Sequence, residues 1–319
     1  MLSSPLTLRV SVVEQCQYRC PYCLPGSKKS FLPKPQWLSL RDYQHIANSF
    51  SIFNLTKIRF TGGEPLLRTD LPQIISVFKK QFPNTILGLT TNGQLLNKTS
   101  EALRHAGLQT LTLHLDTLKP DRYPLLMGKG CLDTVLSTFL EAHSSFDEVK
   151  INMVVQKGEN NDEILDFIHF SEKSKVEVRF IELMNTGSAP GYVKKHFFSG
   201  QSILDSIRTR YPLFQVPKKN PSDPASLWRI DSKNLTFGLI ASDTQPFCNT
   251  CNRLRLSSDG HLRGCLYETE GIALKPLLEQ ENPVEALRHG IKLALHQKQS
   301  FHPLVRLSPT QFSMAEIGG

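Results

Sequence analysis

Strand-like and helix-like segments alternate through the first 185 residues at intervals of roughly 30, the length of one βα repeat. Six stretches rich in apolar and β-branched residues read as strands: 8–13 (LRVSVV), 57–60 (KIRF), 85–90 (TILGLT), 108–115 (LQTLTLHL), 149–155 (VKINMVV) and 176–183 (VEVRFIEL). Amphipathic helical patterns fall between them at 39–50, 71–82, 99–106, 132–143 and 162–173, the first opened by Ser39 and Asp42 at capping-box spacing. This order calls for a parallel sheet with right-handed crossovers, an α/β class. Six units are too few for a standard eight-stranded barrel, so an incomplete (β/α)6 TIM-type barrel is the expected architecture. A doubly wound sheet is its competitor.

After Met184 the pattern changes. The turn-rich NTGSAPG suggests a boundary, with one domain over 1–187 and a second over 188–319. The second reads as a separate layer with a helix near 201–210, a strand-like LTFGLIAS at 235–242, a turn at Ser258-Asp259-Gly260 and a helix over 283–297.

No apolar run approaches the ~20 residues needed to span a bilayer, and MLSSPLTLRV lacks the layout of a signal peptide. Both point to a cytoplasmic chain without a membrane partner. The net charge of +8 would suit nucleic acid, but Lys and Arg are scattered without a basic block. A polyphosphate substrate, or simply a basic solvated surface, accounts for it equally well.

The seven cysteines are placed unevenly: Cys16, Cys20 and Cys23, then Cys131 alone, then Cys248, Cys251 and Cys265. Tight triads in a chain of this size indicate metal ligation rather than a disulfide framework. Cys131 reads as a buried small hydrophobe. CQYRCPYC has the spacing C-x3-C-x2-C with no fourth cysteine or histidine nearby. Three thiolates around a four-iron cluster leave one iron open to a small molecule. FCNTCNRLRLSSDGHLRGC gives C-x2-C-x13-C, again three; His261 could complete a Cys3His zinc site, so that alternative stays open. Arg253 and Arg255, alternating immediately after Cys251, suit an anion better than a structural zinc.

In parallel α/β folds the chemistry gathers at the C-terminal ends of the strands. The first triad, Thr61-Gly62-Gly63-Glu64-Pro65, Thr91-Asn92-Gly93, His114-Leu115-Asp116 and Glu182-Leu183-Met184 all follow or end strands, whereas Lys150 sits near the start of its own. Arg9, Arg59 and Lys150 lie inside β-rich segments, where a charge costs several kcal/mol unless it meets an opposite one. Three cations aimed into one cavity would suit a polyphosphate.

With Tyr22 before the last cysteine and GGEP after the next strand, the first triad resembles the radical S-adenosylmethionine superfamily. With both triads, TGGEPLLR, LTTNG, VKIN, VRFIELMNTG, CNRLRLS and Gly318-Gly319, nearly the whole chain resembles the GTP 3′,8-cyclase family of molybdenum cofactor biosynthesis. The resemblance implies a partial barrel whose open side is covered by a C-terminal domain. It implies two 4Fe-4S clusters, on Cys16, Cys20 and Cys23 and on Cys248, Cys251 and Cys265. S-adenosylmethionine would bind the first, with Gly63 at its methionyl part, Tyr22 near the adenine, His114 at the end of strand four and Met184 beside the adenosyl group. GTP would lie between the clusters, its purine on the second, with Arg9, Arg59, Thr90, Lys150, Arg253, Leu254 and Arg255 lining its pocket and Arg253 and Arg255 serving the reaction. The Gly-Gly tail would reach into the pocket.

The implied activity is a radical cyclisation of GTP to 3′,8-cyclo-7,8-dihydro-GTP by a lyase. Its implied partners are a reductase or other electron donor and cyclic pyranopterin monophosphate synthase as product acceptor, in a monomer or homodimer with no nucleic-acid partner. The family has Ser-Leu-Asp where this chain has His114-Leu115-Asp116, and Asp-Arg-Cys where it has Glu14-Gln15-Cys16. A peptide-modifying radical maturase with an auxiliary cluster is the alternative enzyme, and a zinc-stapled nucleic-acid binder the alternative without catalysis.

Overall fold

The computed structural model describes residues 4–24, 30–185, 189–300 and 314–317. Strands β1 (Leu6–Ser11), β2 (Leu55–Thr61), β3 (Ile86–Thr91), β4 (Thr110–His114), β5 (Glu148–Val155) and β6 (Glu177–Glu182) pair in chain order. Each runs parallel to the next. Helices at Leu40–Phe50, Leu71–Gln81, Ser100–His105, Leu132–His143 and Ile164–Ser174 connect them. The first opens on the expected capping box: the Asp42 amide donates to Ser39 Oγ at 3.2 Å, and the Ser39 amide to Asp42 Oδ2 at 2.7 Å. A further short helix, Tyr123–Met127, was not foreshadowed by periodicity.

Strand alternation assigns the two faces of the sheet. Leu8, Val10, Ile58, Phe60, Ile151 and Met153 are fully buried in the core. Thr7, Arg9, Lys57, Arg59, Asn152 and Val154 line an interior cavity. Tyr43, Phe50, Phe78, Phe139 and Phe167 from the connecting helices are buried against the apolar face. Each such side chain contributes about 1.5–3 kcal/mol on burial.

The remaining strands are β7 (Phe214–Val216), β8 (Ser226–Ile230), β9 (Leu235–Ile240), β10 (Arg253–Leu256), β11 (His261–Arg263) and β12 (Ile272–Ala273). The segment after 188 is not the separate layer expected from its sequence. It continues the same twelve-stranded sheet, in the order β12-β11-β10-β1-β2-β3-β4-β5-β6-β9-β8-β7. β10 lies parallel to β1 and β9 parallel to β6. The reason is hydrogen bonding: an open six-stranded barrel leaves unpaired backbone groups along both edges, and these strands satisfy them. The sheet is open and its first six strands form a partial barrel, as the alternation implied, rather than a doubly wound sheet. Thr186, Gly187 and Ser188 of the junction and the Gly318-Gly319 tail lie outside the described residues. Among the described residues no helix is long and apolar enough to cross a membrane.

Candidate active site

A cavity of about 340 Å³ occupies the barrel lumen, and all six triad cysteines line it. The topology places the triads at opposite ends. Cys16, Cys20 and Cys23 follow β1, at the C-terminal end of the parallel strands. Cys251 immediately precedes β10, and Cys265 follows its antiparallel partner β11, so both return to the N-terminal end of β1. The Thr7 amide donates to Asn252 O at 3.1 Å, which pins the second loop there.

The first loop is stitched to its neighbours through the backbone. The Gly63 amide donates to Val13 O and the Glu64 amide to Gln15 O, each at 2.7 Å. A Cβ on Gly63 would stand 2.3 Å from the carbonyl oxygens of Glu14 and Gln15, so only glycine permits this approach. The Asn92 side-chain amide approaches Cys16 Sγ at 3.9 Å, and Tyr18 N donates to the same sulfur at 3.4 Å. Below the loop, Tyr18 and Tyr123 share a hydrogen bond of 2.7 Å, and Arg19 N donates to Met127 O at 3.0 Å. The unforeseen short helix therefore braces the triad.

Buried carboxylates hold the rim together. Glu64, fully buried, accepts from Thr91 Oγ1 at 2.7 Å, Leu66 N at 2.9 Å and Asn92 N at 2.8 Å. Burial nonetheless pushes its carboxyl up to about 7. Asp116 accepts from Val154 N at 2.8 Å and Tyr22 OH at 2.7 Å, tying β4 to β5 and to the cysteine loop. Glu182 accepts from Gly200 N, Asp243 N and Thr244 N, tying β6 to the start of the helix Gly200–Arg208 and to the segment after β9. Hydrogen bonds to charged groups contribute about 1.5–3 kcal/mol each, so these clamps fix the loop geometry.

His114 lines the cavity and lies 2.7 Å from Tyr22 OH and 3.2 Å from Asp116 Oδ2. Burial opposes its charged form, but Asp116 outweighs burial and raises its pKa. The imidazole is thus a candidate buried cation beside a buried carboxylate.

The lumen between the triads is cationic. Arg255, Arg9 and Arg59 stand side by side in register across β10, β1 and β2. Arg59 donates to Thr112 Oγ1 at 2.8 Å and Leu89 O at 3.1 Å. Arg253 donates to Ser222 O at 3.0 Å and lies over the Phe247 ring. Burial, followed by the neighbouring arginines, lowers the pKa of Arg9, and that of Arg59 and Arg255 to about 10. Arginine stays protonated at neutral pH, so these shifts express the cost of crowding cations, and a bound polyanion relieves it.

Of the residues singled out from sequence, Tyr22, Gly63, Thr90, His114, Met184, Arg9, Arg59, Arg253 and Arg255 all line the cavity. Lys150 and Leu254 do not. Lys150 pairs instead with Glu148 at 2.8 Å and Glu177 at 3.5 Å, meeting its opposite charge on its own strand and the next. Leu254 is fully buried in the core, because alternation on β10 sends it to the face opposite Arg253 and Arg255. Lys57 and Arg179 line the cavity and were passed over. Their signal was available: both occupy inward positions of their strands at spacing two, Lys57 from Arg59 and Arg179 from Glu177. His261 bonds Asp259 at 2.9 Å and stands away from the cavity, which removes the support for a Cys3His zinc site. Cys131 is exposed rather than buried.

The donor set fits two open clusters. None of the six triad cysteines is in a disulfide, and three face the cavity from each end. Among the described residues no three His, Cys, Asp or Glu side chains are gathered so as to hold a single metal ion. Three thiols facing the cavity at each end are the ligand type that iron-sulfur clusters take.

Comparison with known proteins agrees. The Radical SAM superfamily model matches residues 10–171, and that of Molybdenum Cofactor Synthesis C matches 176–304. GTP 3′,8-cyclase 1 of Mycobacterium tuberculosis is 37% identical over 273 residues, covering 84% of this chain and 76% of the relative. The GTP 3′,8-cyclase of Lactiplantibacillus plantarum is 33% identical, covering 98% and 96%, and that of Aquifex aeolicus is 37% identical, covering 88% and 88%. Among solved structures, Streptococcus suis SuiB bound to S-adenosylmethionine superposes with a TM-score of 0.62 at 17% identity, covering 89% of this chain and 68% of SuiB. That likeness concerns the fold. The sequence relatives decide the rest: this chain belongs to the GTP 3′,8-cyclase family of the radical S-adenosylmethionine superfamily.

Proposed function

We propose that the protein is a GTP 3′,8-cyclase, converting GTP to 3′,8-cyclo-7,8-dihydro-GTP in the first step of molybdenum cofactor biosynthesis. The observation that carries this reading is the single cavity lined by both cysteine triads with a bank of arginines between them. Cys16, Cys20 and Cys23 would hold one 4Fe-4S cluster, and Cys248, Cys251 and Cys265 the other. Bound at the first, S-adenosylmethionine supplies the radical that removes hydrogen from the substrate ribose.

The chain's own residues do the positioning. Gly63 lets the backbone approach the methionyl group, while Tyr22, His114 and Met184 enclose the adenosyl portion. Arg9, Arg59, Arg253 and Arg255 neutralise and orient the triphosphate, with Thr90 beside them. Leu254 supports this from the core side of β10, and Lys150 acts by ordering Glu148 and Glu177 rather than by touching substrate. Residues 1–187 would form the radical-generating unit and 188–319 the unit that closes the lumen. A reductase or other electron donor and the synthase that consumes the product complete the set of partners.

A peptide-modifying maturase draws support from the SuiB fold alone, at 17% identity. The discriminating experiment is anaerobic incubation with S-adenosylmethionine, a reductant and GTP deuterated at C3′. The cyclase reading expects a cyclised nucleotide and deuterium in 5′-deoxyadenosine. Active S-adenosylmethionine cleavage with unlabelled 5′-deoxyadenosine and no cyclised product would refute it.

A further inference from the structure

The second cysteine loop has a neighbour that the reading above leaves unused. Helix Pro283–Ser300 runs behind it and packs closely against Gly264. A Cβ at Gly264 would stand 2.7 Å from Lys298 Cβ and 3.1 Å from Ala294 O, so the missing side chain lets the loop press onto the helix. From there Lys298 Nζ donates to Gly264 O at 2.7 Å and to Cys251 Sγ at 3.4 Å. The ammonium is anchored by one bond and aimed by the other. On the far side of the same loop, Glu268 Oε2 accepts from Gly264 N at 2.6 Å and Cys265 N at 3.3 Å. A fixed cation therefore bonds the Cys251 sulfur, while a fixed carboxylate holds the backbone before Cys265.

We infer that Lys298 is a positioning residue for the second cluster, donating N–H···S to the Cys251 thiolate and setting that cluster's reduction midpoint. The inference rests on the reading that this triad carries a cluster. The couple is a one-electron reduction: the cluster gains one electron, no protein bond breaks, and its net charge becomes more negative by one. A cation hydrogen-bonded to a ligating sulfur stabilises the more negative state and raises the midpoint. Without Lys298 the N–H···S bond and its positive charge are lost, and the midpoint would fall.

The test is a potentiometric titration followed by electron paramagnetic resonance on the full chain with both clusters loaded. Lys298→Met is expected to lower the ratio of reduced to oxidised second cluster at fixed potential about tenfold, which is about 59 mV for one electron. The first cluster's midpoint should not move, and Lys298→Arg should restore most of the shift. An unmoved second midpoint in Lys298→Met with full iron content would overturn the inference. If that variant fails to assemble the second cluster, Lys298→Gln is titrated by the same criterion. Failure of both to assemble while Lys298→Arg does would assign Lys298 to loop folding alone and also overturn it. Wild-type protein carrying iron for one cluster only would refute the two-cluster reading instead.

Discussion

The loop after β1 holds its three cysteines beside carboxylates, whereas the loop around β10 holds its three among cations. Burial raises the Cys16 thiol to about 12, with Glu64 adding to the shift, and burial and then Asp116 raise Cys20. At Cys251 burial also acts upward, but Lys298, Arg253 and Arg255 outweigh it and the pKa falls. At Cys265 burial prevails and raises the thiol, with Arg255 and Lys298 acting against it; what differs between the two ends of the cavity is the sign of the neighbouring charges. Anionic surroundings disfavour an added electron and make a reduced cluster a strong donor. Cationic surroundings attract an anionic substrate. The difference supports the proposed reading, in which the first end delivers the electron and the second captures substrate.

The sharpest way to break this comparison is to remove one thiol from each end. Cys20→Ala should abolish S-adenosylmethionine cleavage, whereas Cys251→Ala should keep it detectable; each should lose about half the iron, because each triad serves its own cluster. Iron analysis and 5′-deoxyadenosine measurement check this, and equal loss of cleavage in both would erase the distinction. Next in size is the cationic bank. Changing Arg253 and Arg255 to Ala together removes two charge-assisted contacts of about 1.5–3 kcal/mol each, weakening GTP binding by about 100-fold or more. Iron content should stay at the wild-type level, and normal GTP affinity in the double variant would refute the assignment.

Smaller effects test the first loop. Gly63→Ala forces a methyl against the carbonyls of Glu14 and Gln15. It should lower stability by about 1–3 kcal/mol in denaturant unfolding and weaken S-adenosylmethionine binding, while leaving GTP affinity unchanged. A comparable stability effect, spread over pH, is expected from Glu64. Its folded pKa, about 7, lies above the ordinary carboxylate value of 4.5. The folded state therefore binds the extra proton, and stability falls as pH rises from about 4.5 through about 7, by at most about 3 kcal/mol. Glu64→Gln should flatten that slope; an unchanged slope would place the titration elsewhere.

Much of this was legible in the sequence because its causes are local. Apolar alternation marked β1 to β6 to within a few residues, and the Ser39-Asp42 pair marked the start of the first helix. Triad spacing singled out the six cysteines that line the cavity, and for the first triad the cause is local, since its members share one short loop. What was not legible depends on pairing across the chain. That β9 and β10 would join the two edges of the barrel sheet follows from unsatisfied backbone groups roughly 60 to 240 residues away, which no local pattern records. The pairing of Lys150 with Glu148 and Glu177 was likewise not legible, because Glu177 lies on the next strand. Lys57 and Arg179 could have been found by carrying the inward alternation of Arg59 along every strand.

The central claim is that an anionic nucleotide meets the second cysteine triad inside the cavity that the first triad also enters. It is tested most directly in a variant with Cys16, Cys20 and Cys23 all changed to Ala, which retains only the second cluster. Its reduced electron paramagnetic resonance spectrum is recorded with and without GTP. The account expects GTP to alter that spectrum and S-adenosylmethionine to leave it unchanged. A spectrum insensitive to GTP, with the cluster fully loaded, would contradict it.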